Sequence, residues 1–136
     1  MKLSESMIVA EILAGIKINR IEDKGAKSAL LKDYLAIRRA AKEADEAKAE
    51  IVRKFQEDWA DEIKAVRSFR EKHKPVIGHL DFLEAERDAN SAIVDTLDSQ
   101  VELDITPVKI EAVEAVSEDI TLEQIAFLVD MGVMEE

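Results

Sequence analysis

The run from Lys24 to Lys72 limits the possible folds of this chain more than any other stretch. It contains no proline, and its single glycine, Gly25, falls where a first helical turn would begin. A breaker-free run rich in Ala, Glu, Lys and Leu is expected to satisfy its own backbone polar groups as one long α-helix. Asp23 precedes it as an N-cap, since a carboxylate there accepts from orphan amides and suits the helix dipole. Leu30, Tyr34, Ile37, Ala41, Ala44, Lys48, Ile51 and Phe55 are separated by alternating steps of four and three. That is a coiled-coil seam with Lys48 as its polar exception. Past Phe55 the seam passes through Trp59 and Ile63, then Val66 and Phe69; the consecutive steps of four act as a stutter that relaxes a left-handed supercoil. The middle of the seam is small (Ala40, Ala41, Ala44, Ala47) and its distal end is bulky, so the alanine waist is expected to be the softer part.

A helix of this length needs something against its apolar face. "EKHKPVIGHLD" breaks it, because Pro75 disfavours helix at Lys74 and Gly78 permits a turn. A second helix is expected over residues 81–99, with a seam of Phe82, Ala89, Ile93 and Leu97. The short connection favours antiparallel neighbours, so residues 81–99 should fold back along residues 50–72. Its acidic surface would then face Arg53, Lys54, Lys64, Arg67 and Arg70. Residues 24–50 are left uncovered by this pairing. "VELDITPVKI", from Val101 to Ile110, alternates apolar and polar residues as a half-buried strand does, and Pro107 marks its end or an edge. It is expected to form a small β layer near Leu30–Ile37, with "IKINRI" as one candidate pairing partner; that stretch reads equally as a short extended piece or a continued helix. "VKIEAV" reads as a second extended piece.

The two ends carry a helix each. Residues 4–15 place Met7, Ile8, Ile12 and Ile16 at near-helical spacing, and Gly15 is a natural stop. Residues 122–131 carry the clearest signals. Thr121 and Gln124 make a capping box, Ile120 and Ile125 a hydrophobic staple, and Gly132 a C-terminal stop. The closing "MEE" is expected to fray. The fold class is mainly α (α+β): one domain, 1–136, with a long antiparallel helical hairpin (24–72 and 81–99), a strand-like segment at 101–113 and a short C-terminal helix.

Composition agrees with a folded, helical chain. Of 136 residues 47% are apolar and 36% charged, with only four glycines and two prolines. Disorder would need low hydrophobicity beside this charge. The absence of cysteine excludes disulfides, thiolate metal sites and a cysteine nucleophile. No apolar run approaches the ~20 residues of a membrane helix, and Glu11 interrupts the short apolar run that a signal peptide would need; a soluble, cytoplasmic protein is expected. The net charge of −11 is concentrated beyond residue 80, where Arg87 and Lys109 are the only bases against sixteen acids.

Little in the sequence points to catalysis. His73 and His79 are the only histidines, and their spacing across a Pro/Gly turn matches no common zinc pattern. There is no P-loop, no G-x-G-x-x-G and no G-x-S-x-G. "EADEAKAE" and "DFLEAERD" put acids three and four apart, yet lack the Glu-x-x-His pairs of a di-metal bundle, and "DANSAIVDTLDSQVELD" lacks the glycine of a calcium loop. "IRRAAK" is a small basic cluster balanced at once by the acids that follow. No catalytic residue, cofactor or metal is expected, and the acidic second half disfavours nucleic acid.

The order of elements resembles small proteins of unknown function encoded by tailed phages and prophages. The resemblance is carried by "KSALLKDYLAIRRAAKEADEAKAEIVRKF", by "VELDITPVKIEAV" and by "ITLEQIAFLVDMGVMEE", and covers most of the chain after Lys27; "HKPVIGH" has no counterpart in that pattern. It implies a phage or prophage origin in a bacterial host cell and brings no activity and no site residues. The expectation is a non-enzymatic accessory protein acting through a protein partner or as a homo-oligomer. The candidate surface is the uncovered seam at Leu30, Tyr34, Ile37, Ala41 and Ala44, with Trp59 as either a hot spot or a core anchor. The alternative is an acidic anti-defence inhibitor that mimics DNA or sequesters a ligand.

Overall fold

The computed structural model describes residues 1–64 and 79–136, with the side chain of His79 left aside. The fold is mainly α. Helix α1 spans Leu3–Ala14, a 3₁₀ turn follows at Ile18–Arg20, and the long helix α2 runs from Lys24 to Asp58. Helical hydrogen bonds carry on through Trp59, whose amide donates to the Phe55 carbonyl at 3.0 Å, into residues 60–64. The part of the expected long helix beyond residue 64, with Val66, Arg67, Phe69 and Arg70, and the break around His73, Pro75 and Gly78 lie outside the described residues. Helix α3 is His79–Asp98, β1 is Val108–Lys109, α4 is Ile110–Glu114, α5 is Leu122–Asp130 and β2 is Met134–Glu135.

The chain divides into two compact units. Met1–Ala44 and Ser99–Glu136 form the first, and Asp45–Asp98 the second. The boundary falls at the alanine waist of α2, where small side chains offer little area to bind a core together.

In the first unit, the core gathers Val9 and Leu13 from α1, Ile16, Ile18 and Ile21, and Leu30 and Ile37 from α2. It also takes in Val108, Val113, Ile125, Leu128, Val133 and Met134. Helix α1 packs against α5. It does not bury the expected Met7–Ile8–Ile12–Ile16 stripe as such: Ser6, Val9 and Leu13 are its buried residues and Ile8 is exposed. The helix is apolar around most of its circumference, so spacing alone does not pick the face. Ser6 is tolerated inside because its hydroxyl donates to the Leu3 carbonyl at 2.6 Å.

Asp23 caps α2 as expected, its Oδ1 accepting from the Ala26 amide at 3.0 Å. The α5 signals also form. Thr121 Oγ1 accepts from the Gln124 amide at 3.1 Å, and Gln124 Oε1 accepts from the Thr121 amide at 3.0 Å. Gly132 has φ 77°, the left-handed conformation that favours glycine. Its amide donates to Val129 O at 3.0 Å and that of Val133 to Leu128 O at 2.9 Å, the paired closure of a Schellman motif. Leu128 and Val133, which that closure brings together, are both fully buried.

The opening half of "VELDITPVKI" keeps its expected alternation without being a strand. Val101, Leu103 and Ile105 are half-buried, while Glu102, Asp104 and Thr106 are exposed. Its partners are the two chain ends rather than "IKINRI", part of which is the 3₁₀ turn. The amide of Leu3 donates to Ser99 O at 3.0 Å and that of Val101 to Met1 O at 2.9 Å, around an antiparallel bridge of Lys2 with Gln100. At the other end β1 pairs in parallel with β2, Val108 opposite Met134 and Lys109 opposite Glu135. The expected second extended piece is instead α4. Nor does "MEE" fray, since Met134 is 2% exposed. A two-residue ribbon is unstable alone, and burial of Val108, Val133 and Met134 holds it.

In the second unit, Phe82 near the start of α3 lies against the far end of α2. Its ring centroid is 5.6 Å from that of Phe55 and 6.2 Å from that of Trp59, the latter pair edge-on at 69°. Ala89, Ile93 and Leu97 continue the same face of α3, half-buried. The chain enters this unit along α2 and leaves it along α3, which makes the helical hairpin.

Candidate functional site

Among the described residues, three features have chemistry or surface to offer: a buried carboxylate on α2 and two exposed helix faces.

Asp33 stands three residues after Leu30 and four before Ile37, on the same helical stripe. It is fully buried with them. Its Oδ1 accepts the Thr106 amide at 3.0 Å, while Oδ2 has no partner. Burial pushes the Asp33 carboxyl above its ordinary range; the Thr106 hydrogen bond and the Lys32 charge oppose that shift, and Asp104 adds to it. Just outside, Lys32 Nζ reaches Asp104 Oδ2 at 3.2 Å. Both side chains are largely exposed, so that pair is screened and weak. Together these contacts clasp residues 104–106 onto α2. The result is a fully buried carboxyl that fixes backbone. A cleft of about 200 Å³ in the same unit, between Glu11, Ile12, Lys17, Ser117, Ile120 and Gln124, does not include Asp33.

The expected interaction seam is covered by the chain itself. Leu30, Ile37, Ala41 and Ala44 are buried, and Tyr34 is half-buried against the core. Leu30 and Ile37 pack in one cluster with Val9 and Leu13 of α1 and Ile125 and Leu128 of α5, and Leu103 and Ile105 of the extended segment lie against it. Trp59 is half-buried against Phe82 and serves as a core anchor. The cross-hairpin pairing expected of Arg53 is also replaced: it spans Glu50 and Glu57 on its own helix, and its guanidinium holds the Glu50 carboxyl below the ordinary range.

The exposed apolar residues lie elsewhere. On α2, Leu31 and Leu35 are 43% and 51% exposed, with exposed Arg38 and Arg39 three and four residues beyond Leu35. On α3, Leu80, Leu83 and Val94 are 80%, 43% and 54% exposed. They share one row with Arg87 and Asn90 in steps of three and four, turned about a third of the helix circumference from Phe82. Leu83, Arg87, Asn90 and Val94 border a shallow trough of about 460 Å³. Exposed Asp81, Glu84, Asp88 and Asp95 run alongside as an acidic flank. Both rows are present in the sequence as second stripes, offset from the buried seams of α2 and α3.

Among the described residues, no group of three or more His, Asp or Glu is placed to hold a metal ion, and no helix is long and apolar enough to cross a membrane. No protein-family model, curated protein or solved structure matches this chain.

Proposed function

We propose that this chain is a non-enzymatic protein–protein interaction module that binds through the outer face of its hairpin. The observation that carries this reading is α3: Leu80, Leu83 and Val94 stand exposed in one row, edged by Asp81, Glu84, Asp88 and Asp95. Large apolar side chains collected on one helix face cost solvation until something covers them. A basic, apolar helix laid into that face would bury the leucines and meet the acids. A place in phage or prophage development inside a bacterial host, as an assembly factor or a modulator of a host protein, belongs to the same proposal. Its support is the resemblance carried by "KSALLKDYLAIRRAAKEADEAKAEIVRKF" and the closing "ITLEQIAFLVDMGVMEE".

The acidic flank of α3 gives some support to DNA mimicry, and charge spacing weighs against it. Asp81, Glu84, Asp88 and Asp95 put four charges over roughly 21 Å of helix. Duplex DNA carries one per about 1.7 Å.

Cross-linking in the producing bacterium, with the wild type compared to Leu83→Glu, tests the interaction reading. The wild type is expected to give a discrete adduct with a polypeptide, and the substitution to remove it. No adduct, or the same adduct from both proteins, would contradict the reading.

A further inference from the structure

We infer that the polypeptide bound by α3 is a second copy of this chain, with the outer face of α3 in one copy docked on the outer face of the first half of α2 in the next. The inference rests on the interaction reading above and names its partner.

The two faces complement each other in both charge and shape of pattern. Helix α3 holds six acids, Asp81, Glu84, Glu86, Asp88, Asp95 and Asp98, against the single base Arg87. Residues 24–42 of α2 hold six bases against one acid, and that acid is Asp33, buried on the opposite side. The apolar contacts also match: Leu31 and Leu35 are one turn apart on α2, and Leu80 and Leu83 are about one turn apart on α3. Arg38 and Arg39 extend the α2 row as Arg87, Asn90 and Val94 extend the other.

The same charges decide which faces meet. Two α3 faces brought together would set acids on acids, and two α2 faces would set arginines on arginines; like charges across an interface disfavour both. Only α3 against α2 joins opposite signs. Such a contact uses two different surfaces: two copies that exchange both contacts close as a two-fold pair, whereas a single exchange leaves one of each face free. Heterologous contacts of this kind close into rings or continue as open chains, and added salt weakens them.

The experiment is sedimentation velocity on Leu35→Glu, which alters the α2 face, and Leu83→Glu, which alters the α3 face. Both positions are solvent-exposed and glutamate favours helix; circular dichroism checks that the fold is retained. The wild type is expected to sediment as species larger than a monomer. Each variant alone should lose at least about tenfold in self-affinity, the scale of losing one interfacial anchor. An equimolar mixture should form a one-to-one dimer and nothing larger, because the intact α3 of the first variant meets the intact α2 of the second, while the remaining pair of faces is spoiled on both sides. A mixture that stays monomeric, or variants that assemble as the wild type does, would overturn the inference. So would a monomeric wild type at every concentration; if cross-linking still yielded an adduct with another polypeptide that Leu83→Glu removed, the interaction reading would stand and self-association alone would fall.

Discussion

Replacing Asp33 by asparagine should stabilise the chain at neutral pH, and by an amount that vanishes in acid. The asparagine carbonyl can take over the Thr106 amide that Oδ1 now accepts at 3.0 Å. What the substitution removes is a charge with Oδ2 buried and unpartnered. An unsatisfied buried polar group costs about 1–3 kcal/mol, more when charged. The lost attraction to Lys32, an exposed side chain, offsets at most about 1 kcal/mol. The asparagine NH₂ inherits a site without a partner, so the net gain sits at the lower end, about 1 kcal/mol. Because burial raises the Asp33 pKa, the folded chain holds this proton more tightly than the unfolded one. The penalty is then fully present above the raised pKa. It is relieved as pH falls through that value toward the ordinary aspartate range, where the folded wild type becomes neutral like the variant. Urea denaturation of both proteins from pH 7 to pH 3.5 gives the difference directly and cancels every other carboxylate. A difference that does not change with pH, or a variant less stable at pH 7, would refute the argument that Asp33 is held against its charge.

Gly132→Ala should cost about 1–2 kcal/mol in the same assay, the penalty for placing a Cβ at φ 77°, with no clash to add to it because nothing lies within 4 Å of that Cβ. Leu128→Ala removes a side chain with no exposed area and should lose about 2–5 kcal/mol. Leu122→Ala, six residues earlier on the same helix and 82% exposed, should stay within about 0.5 kcal/mol of the wild type. Equal losses from the two leucines would mean that α5 packs by another face.

The parts of this fold that could be read from sequence are those set by residues close together in the chain. Thr121 and Gln124 are three apart, and Gly132 follows its helix directly, so capping chemistry alone places α5. The α2 seam shows at Leu30, Ile37, Ala41 and Ala44 because 3.6-residue periodicity is local. Alternation from Val101 to Thr106 gave the correct inward and outward faces even though no ladder forms there. What failed depends on distant parts of the chain. The faces of α1 cannot be ranked when nearly all are apolar. The pairing of Val108 with Met134 is two residues long and joins segments separated by two helices, leaving no pattern to find. Asp33 has the register of the seam, between Leu30 and Ile37, but its charge reads as that of a solvated position. The seam reads as a binding surface in the sequence because the packing of α1, α5 and the 101–107 segment around Leu30 and Ile37 is a tertiary fact.

The central claim is that the outward rows of α2 and α3 are binding surfaces rather than solvated helix faces. A concentration series of light-scattering measurements on the wild type, at low and then high ionic strength, tests it most directly. Mass rising above that of the monomer with concentration, and falling back when salt is added, is the predicted result. A mass fixed at the monomer under every condition, with no polypeptide cross-linked in the cell, would contradict it.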